Sequence, residues 1–195
     1  MNKVYIVHCW EGTKDDGWYP WLDKELSNEN TTVYRFNMPN TENPKIEEWV
    51  PFLDSIVKDL DSNTYFVGHS IGCQTILKFL QSRDITNIGG ILLVAPWLSL
   101  LPEAISDPES YETAKPWLTT PIDFEKVKKF TSNITCIFSD DDYFVSLSQK
   151  EVFENVLNAK TIVVSNKGHI SEEDDVYELK EILDACNKMM EESNE

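Results

Sequence analysis

The sequence predicts a doubly wound α/β domain built on a parallel sheet, and three observations predict it. Short apolar runs alternate with helical patterns from one end of the chain to the other, as strand–helix–strand crossovers require. Runs such as Ile91-Leu92-Leu93-Val94-Ala95 are apolar throughout, not at every second position, which is the pattern of strands covered by helices on both faces. The 195 residues, 41% of them hydrophobic, supply one sizeable core and are too few for two ordinary domains. Residues 1–195 are therefore read as a single domain, with no Gly/Ser linker, repeat or low-complexity tract to divide it.

Residues 4–8 form the first strand candidate and 18–26 the first helix. A strand at 32–36 and a helix at 46–60 follow. Next come a strand at 65–68, a helix at 71–81 and a strand at 90–95, all rich in apolar side chains. Residues 99–121 hold Pro102, Pro108, Pro116 and Pro121, four of the nine prolines, and read as a loop or small cap-like excursion over one end of the sheet. A short helix at 123–130 precedes a strand at 134–139, a helix at 147–157 and a strand at 161–165. The last helix, 176–190, carries its apolar residues at Val176, Leu179, Ile182, Leu183, Cys186 and Met190, a helical stripe on an otherwise acidic segment.

Charge narrows the function. Against 17 Lys and Arg stand 34 Asp and Glu, a formal net charge of −17. That field repels phosphate backbones and anionic lipid, which argues against nucleic-acid and membrane-surface roles. Residues 171–195 alone carry ten acidic and two basic side chains, so much of the charge reads as solvated surface. The first apolar run is too short for a signal-peptide core or a membrane span. Cys9, Cys73, Cys136 and Cys186 lie far apart and without metal-ligand spacing, so they read as buried free thiols in a reducing compartment, the cytoplasm.

In folds of this class ligands bind beyond the carboxyl ends of the strands. There, between the third strand and its helix, stands Gly68-His69-Ser70-Ile71-Gly72, which matches G-x-S-x-G. The pattern puts a serine on a sharp strand-to-helix turn with its hydroxyl exposed; the alternative is a plain helix N-cap. A serine hydroxyl needs a neighbouring base. Of three histidines, His69 sits inside the turn and His8 ends the first strand, which leaves His169, after the last strand. An imidazole base needs a carboxylate to fix its tautomer. Asp140-Asp141-Asp142 ends the preceding strand, with a solvated acidic turn or a cation site as the alternatives. The order Ser…Asp…His is that of the α/β-hydrolases. The oxyanion donors are expected to be the backbone N–H groups of Ile71 and of Trp10, in the loop after the first strand.

The chain here resembles the small serine hydrolases of the RBBP9/YdeN type over nearly its whole length. The matching pieces are Val7-His8, Gly17-Trp18-Tyr19-Pro20-Trp21-Leu22, Asn37-Met38-Pro39, Trp49-Val50-Pro51-Phe52, the serine motif, Pro116-Trp117, Ser139-Asp140-Asp141-Asp142 and Gly168-His169. The Gly-Trp-Tyr-Pro-Trp and Asn-Met-Pro pieces are more specific than the serine motif. The resemblance implies the α/β-hydrolase fold: a minimal three-layer sandwich around a mostly parallel sheet of about six strands, with no large lid. It also implies Ser70 as nucleophile, His169 as base and Asp142 as acid, with Asp141 the runner-up. In the first loop, where relatives tend to have glycine, this chain has Cys9-Trp10.

The expected activity is that of a carboxylesterase-like serine hydrolase, cleaving small acyl esters through an acyl-enzyme with no cofactor or metal. An amidase or peptidase working from the same site, or a protein-interaction module that keeps the three residues unused, are the alternatives. His8, Cys9, Trp18, Trp97 and Trp117 are the expected pocket residues, around a shallow apolar site for short acyl or aromatic groups.

Overall fold

The computed structural model describes residues 1–192 of the chain. Its elements run β1 (Asn2–Val7), α1 (Tyr19–Leu26), β2 (Thr31–Arg35), α2 (Ile46–Ile56), β3 (Thr64–His69), α3 (Ile71–Ser82) and β4 (Gly90–Val94). After these come α4 (Pro108–Thr119), α5 (Phe124–Val127), β5 (Ile134–Ser139), α6 (Gln149–Leu157), β6 (Lys160–Val164) and α7 (Lys180–Glu192). The six strands form one sheet in the order β2-β1-β3-β4-β5-β6, every neighbouring pair parallel.

Alternation along each strand feeds two separate cores. Val4 and Ile6 of β1, Tyr65 and Val67 of β3, and Leu92 and Val94 of β4 face Leu22 and Leu26 of α1 and Ile182, Cys186 and Met189 of α7. Tyr5, Val7, Phe66, Ile91 and Leu93 point the other way. They pack against Trp49 and Leu53 of α2, Ile76, Leu77 and Leu80 of α3, and Phe153 of α6. With each large apolar side chain contributing about 1.5–3 kcal/mol on burial, both faces must be covered, and the central strands are accordingly apolar throughout. The result is a three-layer α/β/α sandwich. Cys73, Cys136 and Cys186 are buried free thiols and Cys9 is half-buried. No described helix is long and apolar enough to cross a membrane.

Three boundaries differ from the sequence reading. The second helix stops at Ile56 instead of running to residue 60, because the Asp61 carboxylate collects the Asn63 N–H and the Thr64 hydroxyl into a turn that feeds β3. The last helix begins at Lys180. Before it, a 3₁₀ turn at Glu172–Asp174 closed by a Ser171/Asp174 capping box ends in a left-handed Asp175, so Val176 and Leu179 are buried without being helical. Of the acidic segment 171–195, its last three residues lie outside the described residues. The excursion 99–121 is no loop: it holds a 3₁₀ turn at Pro102–Ile105 and the three-turn α4, whose N-cap Asp107 accepts from the Glu109 and Ser110 N–H groups.

Candidate active site

The strand order reverses on either side of β1, and the crevice between the ends of β1 and β3 is where such sheets bind ligands. Val7 pairs with Gly68, so the loop after β1 lies beside the turn after β3. Ser70 occupies that turn at φ 54°, ψ −119°, a conformation disfavoured for any side chain, and it caps no helix N–H with its hydroxyl. The flanking glycines are required by crowding: a Cβ on Gly72 would meet the carbonyl oxygens of Val7 and His8, and one on Gly68 would lie 2.8 Å from Cys73 N and Cα. Neither the Ile71 N–H nor the Trp10 N–H has a hydrogen-bond acceptor among the described residues, whereas the flanking Glu11 and Gly12 N–H groups are taken by Thr41 and Cys9 carbonyls.

The three aspartates after β5 shape the loop that carries His169. Asp140 Oδ1 accepts from Asn166 N–H at 2.9 Å. Asp141 Oδ1 accepts from the Ser139 hydroxyl (2.7 Å) and from the N–H groups of Lys167 (3.0 Å) and Gly168 (2.9 Å). The Ser139 hydroxyl and those two amides hold the Asp141 carboxyl below the usual carboxylate range. Asp142 points inward. Its Oδ2 accepts from His169 Nδ1 at 2.8 Å, its Oδ1 from Phe144 and Val145 N–H, and its side chain is 3% exposed. Asp142, not Asp141, is therefore the carboxylate on the imidazole. Among the described residues no group of three or more His, Cys, Asp or Glu is placed to hold a metal ion.

The other two histidines are held by hydrogen bonds in opposite tautomers. A carbonyl can only accept, so His8 donates from Nδ1 to Cys9 O (2.7 Å) and accepts the Met38 N–H at Nε2 (2.9 Å). His69 donates from Nε2 to His169 O (2.8 Å). Burial pushes both imidazoles below the ordinary histidine range, His69 to about 3 with the nearby His169 adding to the effect. The unfolded chain takes up protons first as pH drops below about 6.5, so it binds more protons than the folded chain and stability falls with pH across that window. The melting temperature is therefore expected to decline from pH 6.5 to 5, above the carboxylate range, with His69 alone costing about 2 kcal/mol at pH 5. A melting temperature constant over that range would show that these imidazoles titrate as in water.

Ser70 and His169 open into one cavity of about 270 Å³. Cys9, Trp10, Trp18 and Trp97 line it, as does Phe144, whose ring stands edge-on to His169 at 5.0 Å. The Trp97 indole N–H donates to Ser70 Oγ at 3.3 Å. Two expected pocket residues are elsewhere. The His8 ring is turned behind the loop towards Trp49, and the Trp117 indole donates to Pro44 O and packs edge-on to Trp49. The excursion supplies instead Leu100, just before the 3₁₀ turn, Ala104 within it and Ser110 in the first turn of α4, which no periodic apolar pattern in this proline-rich stretch announces. Tyr19 was missed too, although it stands in the Gly-Trp-Tyr-Pro-Trp piece. Glu11, Asp16, Glu172 and Glu173 lie at the lining, and among the described residues no Lys or Arg does.

Comparison with known proteins bears on the fold and the family. The chain is 29% identical to the YdeN protein of Bacillus subtilis (strain 168) over 184 residues, 94% of this chain and 93% of that one. It is 25% identical to the serine hydrolase RBBP9 of Rattus norvegicus over 154 residues, 78% of this chain and 77% of that one. The crystal structure of the B. subtilis ydeN gene product superposes with a TM-score of 0.88 at 27% identity, covering 98% of this chain and all of that one. Est1E from Butyrivibrio proteoclasticus, in a structure with ferulic acid bound, shares the fold at a TM-score of 0.72 and 18% identity, over 99% of this chain and 89% of its own. The architecture is that of the α/β-hydrolases, with an open six-stranded sheet. A family model described as serine hydrolase matches residues 4–187, and the chain belongs to that serine hydrolase family.

Proposed function

We propose that the chain is a carboxylesterase-like hydrolase of small acyl esters, working through Ser70, His169 and Asp142 and an acyl-enzyme. The observation that carries this reading is the buried Asp142–His169 pair and a strained Ser70, with Ser70 and His169 opening into one largely apolar cavity. With Nδ1–H committed to Asp142, the bare Nε2 of His169 is left to act as base. Because Ser70 Oγ accepts from Trp97, its own proton remains to be donated. Ser70 Oγ attacks the ester carbonyl carbon and its proton passes to His169 Nε2. The negative charge on the carbonyl oxygen falls to the Ile71 and Trp10 N–H groups, each such donor typically worth about 2.7–4 kcal/mol in the transition state. Collapse expels the alcohol, protonated by His169. Water, deprotonated by His169 in turn, then releases the acid and restores Ser70.

The cavity volume sets the acyl length and its carboxylates set the charge. For p-nitrophenyl esters of rising chain length, kcat/KM is expected to be highest for short acyl groups and to fall for long ones. A p-nitrophenyl ester with a carboxylate-bearing acyl group is expected to react more slowly than its neutral counterpart, because Glu11, Asp16, Glu172 and Glu173 have no cation beside them in the lining. Activity that climbs steadily with chain length, or that survives in Ser70→Ala, would contradict the reading.

A further inference from the structure

Within that esterase reading, we propose that Tyr19 and His69 are positioning residues, joined in one buried hydrogen-bond chain that fixes the His169 backbone relative to the loop carrying the Trp10 N–H. The chain has a single consistent order of donors. His169 O can only accept, so His69 Nε2 bears its proton and His69 Nδ1 must accept. The Tyr19 hydroxyl therefore donates to Nδ1, at 2.6 Å, which leaves its oxygen to accept the Cys9 N–H at 3.3 Å. Burial keeps the Tyr19 phenol protonated and His69 neutral, so neither end of this order is lost near neutral pH.

The loop on the far end needs such fixing. Asn166, Gly168 and Ile170 take φ values of 55°, 51° and 58°, and a buried β-branched residue at positive φ persists only where its surroundings over-determine it. The segment Gly17-Trp18-Tyr19 grips this loop three times. Gly17 N–H donates to Glu172 Oε2 (2.9 Å), the Trp18 indole to Ile170 O (2.9 Å), and Tyr19 reaches His169 O through His69. The same tyrosine holds Cys9 N–H on the other side of the cavity, so one phenol ties together the loops of the base and of the expected oxyanion donor. Displacing either by about 1 Å is enough to cost up to roughly 10²-fold in rate.

The test compares Tyr19→Phe, His69→Gln and His69→Leu. Tyr19→Phe keeps the ring and leaves the Cys9 N–H and His69 Nδ1 unpaired. It is expected to lower kcat for p-nitrophenyl butyrate by roughly 10- to 100-fold with KM changed by less than about twofold. His69→Gln keeps an N–H near His169 O and is expected to retain clearly more kcat than His69→Leu. In parallel, ¹⁵N-histidine NMR of the wild type should show His69 protonated at Nε2 alone, and Tyr19→Phe should move the His169 ring resonances. A kcat for folded Tyr19→Phe within about twofold of wild type, or His169 resonances unmoved by it, overturns the proposal. Wild-type protein that hydrolyses no ester would count against the esterase reading instead, and the NMR comparison would still decide the positioning role.

Discussion

Ser70→Gly is expected to lose ester hydrolysis by about 10⁴- to 10⁶-fold in kcat while melting higher than the wild type. The loss follows from removing the nucleophile. The stabilisation follows from φ 54°, ψ −119° at Ser70, where a side chain costs about 1–3 kcal/mol and glycine costs little. Glycine also gives the unfolded chain more freedom, an offset of about 0.5–1 kcal/mol. The net is about 1 kcal/mol, or about 2–4 °C for a chain of this size. Ser70→Ala removes the nucleophile but keeps the Cβ, so it should be as inactive and should melt near the wild type. Equal melting of the two variants would mean that the strain at Ser70 is no larger than the glycine offset of about 0.5–1 kcal/mol.

Asp142→Asn should lower kcat by about 10⁴-fold with KM little changed, and Asp141→Asn by only a few-fold. An asparagine at 142 can still accept from Phe144 and Val145 through its oxygen, but it sets an NH₂ against His169 Nδ1. The imidazole then carries its proton on Nε2 and cannot take one from Ser70. At 141 a single oxygen serves Ser139, Lys167 and Gly168, and an asparagine oxygen can replace it. Steady-state kinetics on the two variants checks this directly. The reverse ranking would make Asp141 the acid.

The sequence made the layers legible because burial on both faces leaves its mark on every central strand, as in Ile91–Val94. It made the strand-to-helix turn at Ser70 legible through its context, an apolar strand before it and a helical pattern after it, since the five-residue pattern alone also fits a plain helix N-cap. The excursion was harder. Its Asp107-Pro108 start is a good helix signal, but the four prolines and the weak apolar stripe masked it, and with it Ser110 as a cavity residue; Leu100 and Ala104 stand before and in a short 3₁₀ turn that has no sequence period to read. His8 and Trp117 were placed near the site by position in the chain. Their orientation depends on partners distant in sequence, Met38 and Trp49 for one and Pro44 for the other. The role of Tyr19 rests on a hydrogen bond to a residue fifty positions away, and no local pattern announces such a contact.

The most direct measurement is the intact mass of the protein after exposure to a fluorophosphonate, followed by peptide mapping. One adduct is expected on the wild type, located at Ser70, formed far more slowly in Asp142→Asn and absent from Ser70→Ala. A folded wild-type protein that takes up no adduct, or that takes it up at another residue such as Cys9, would contradict this.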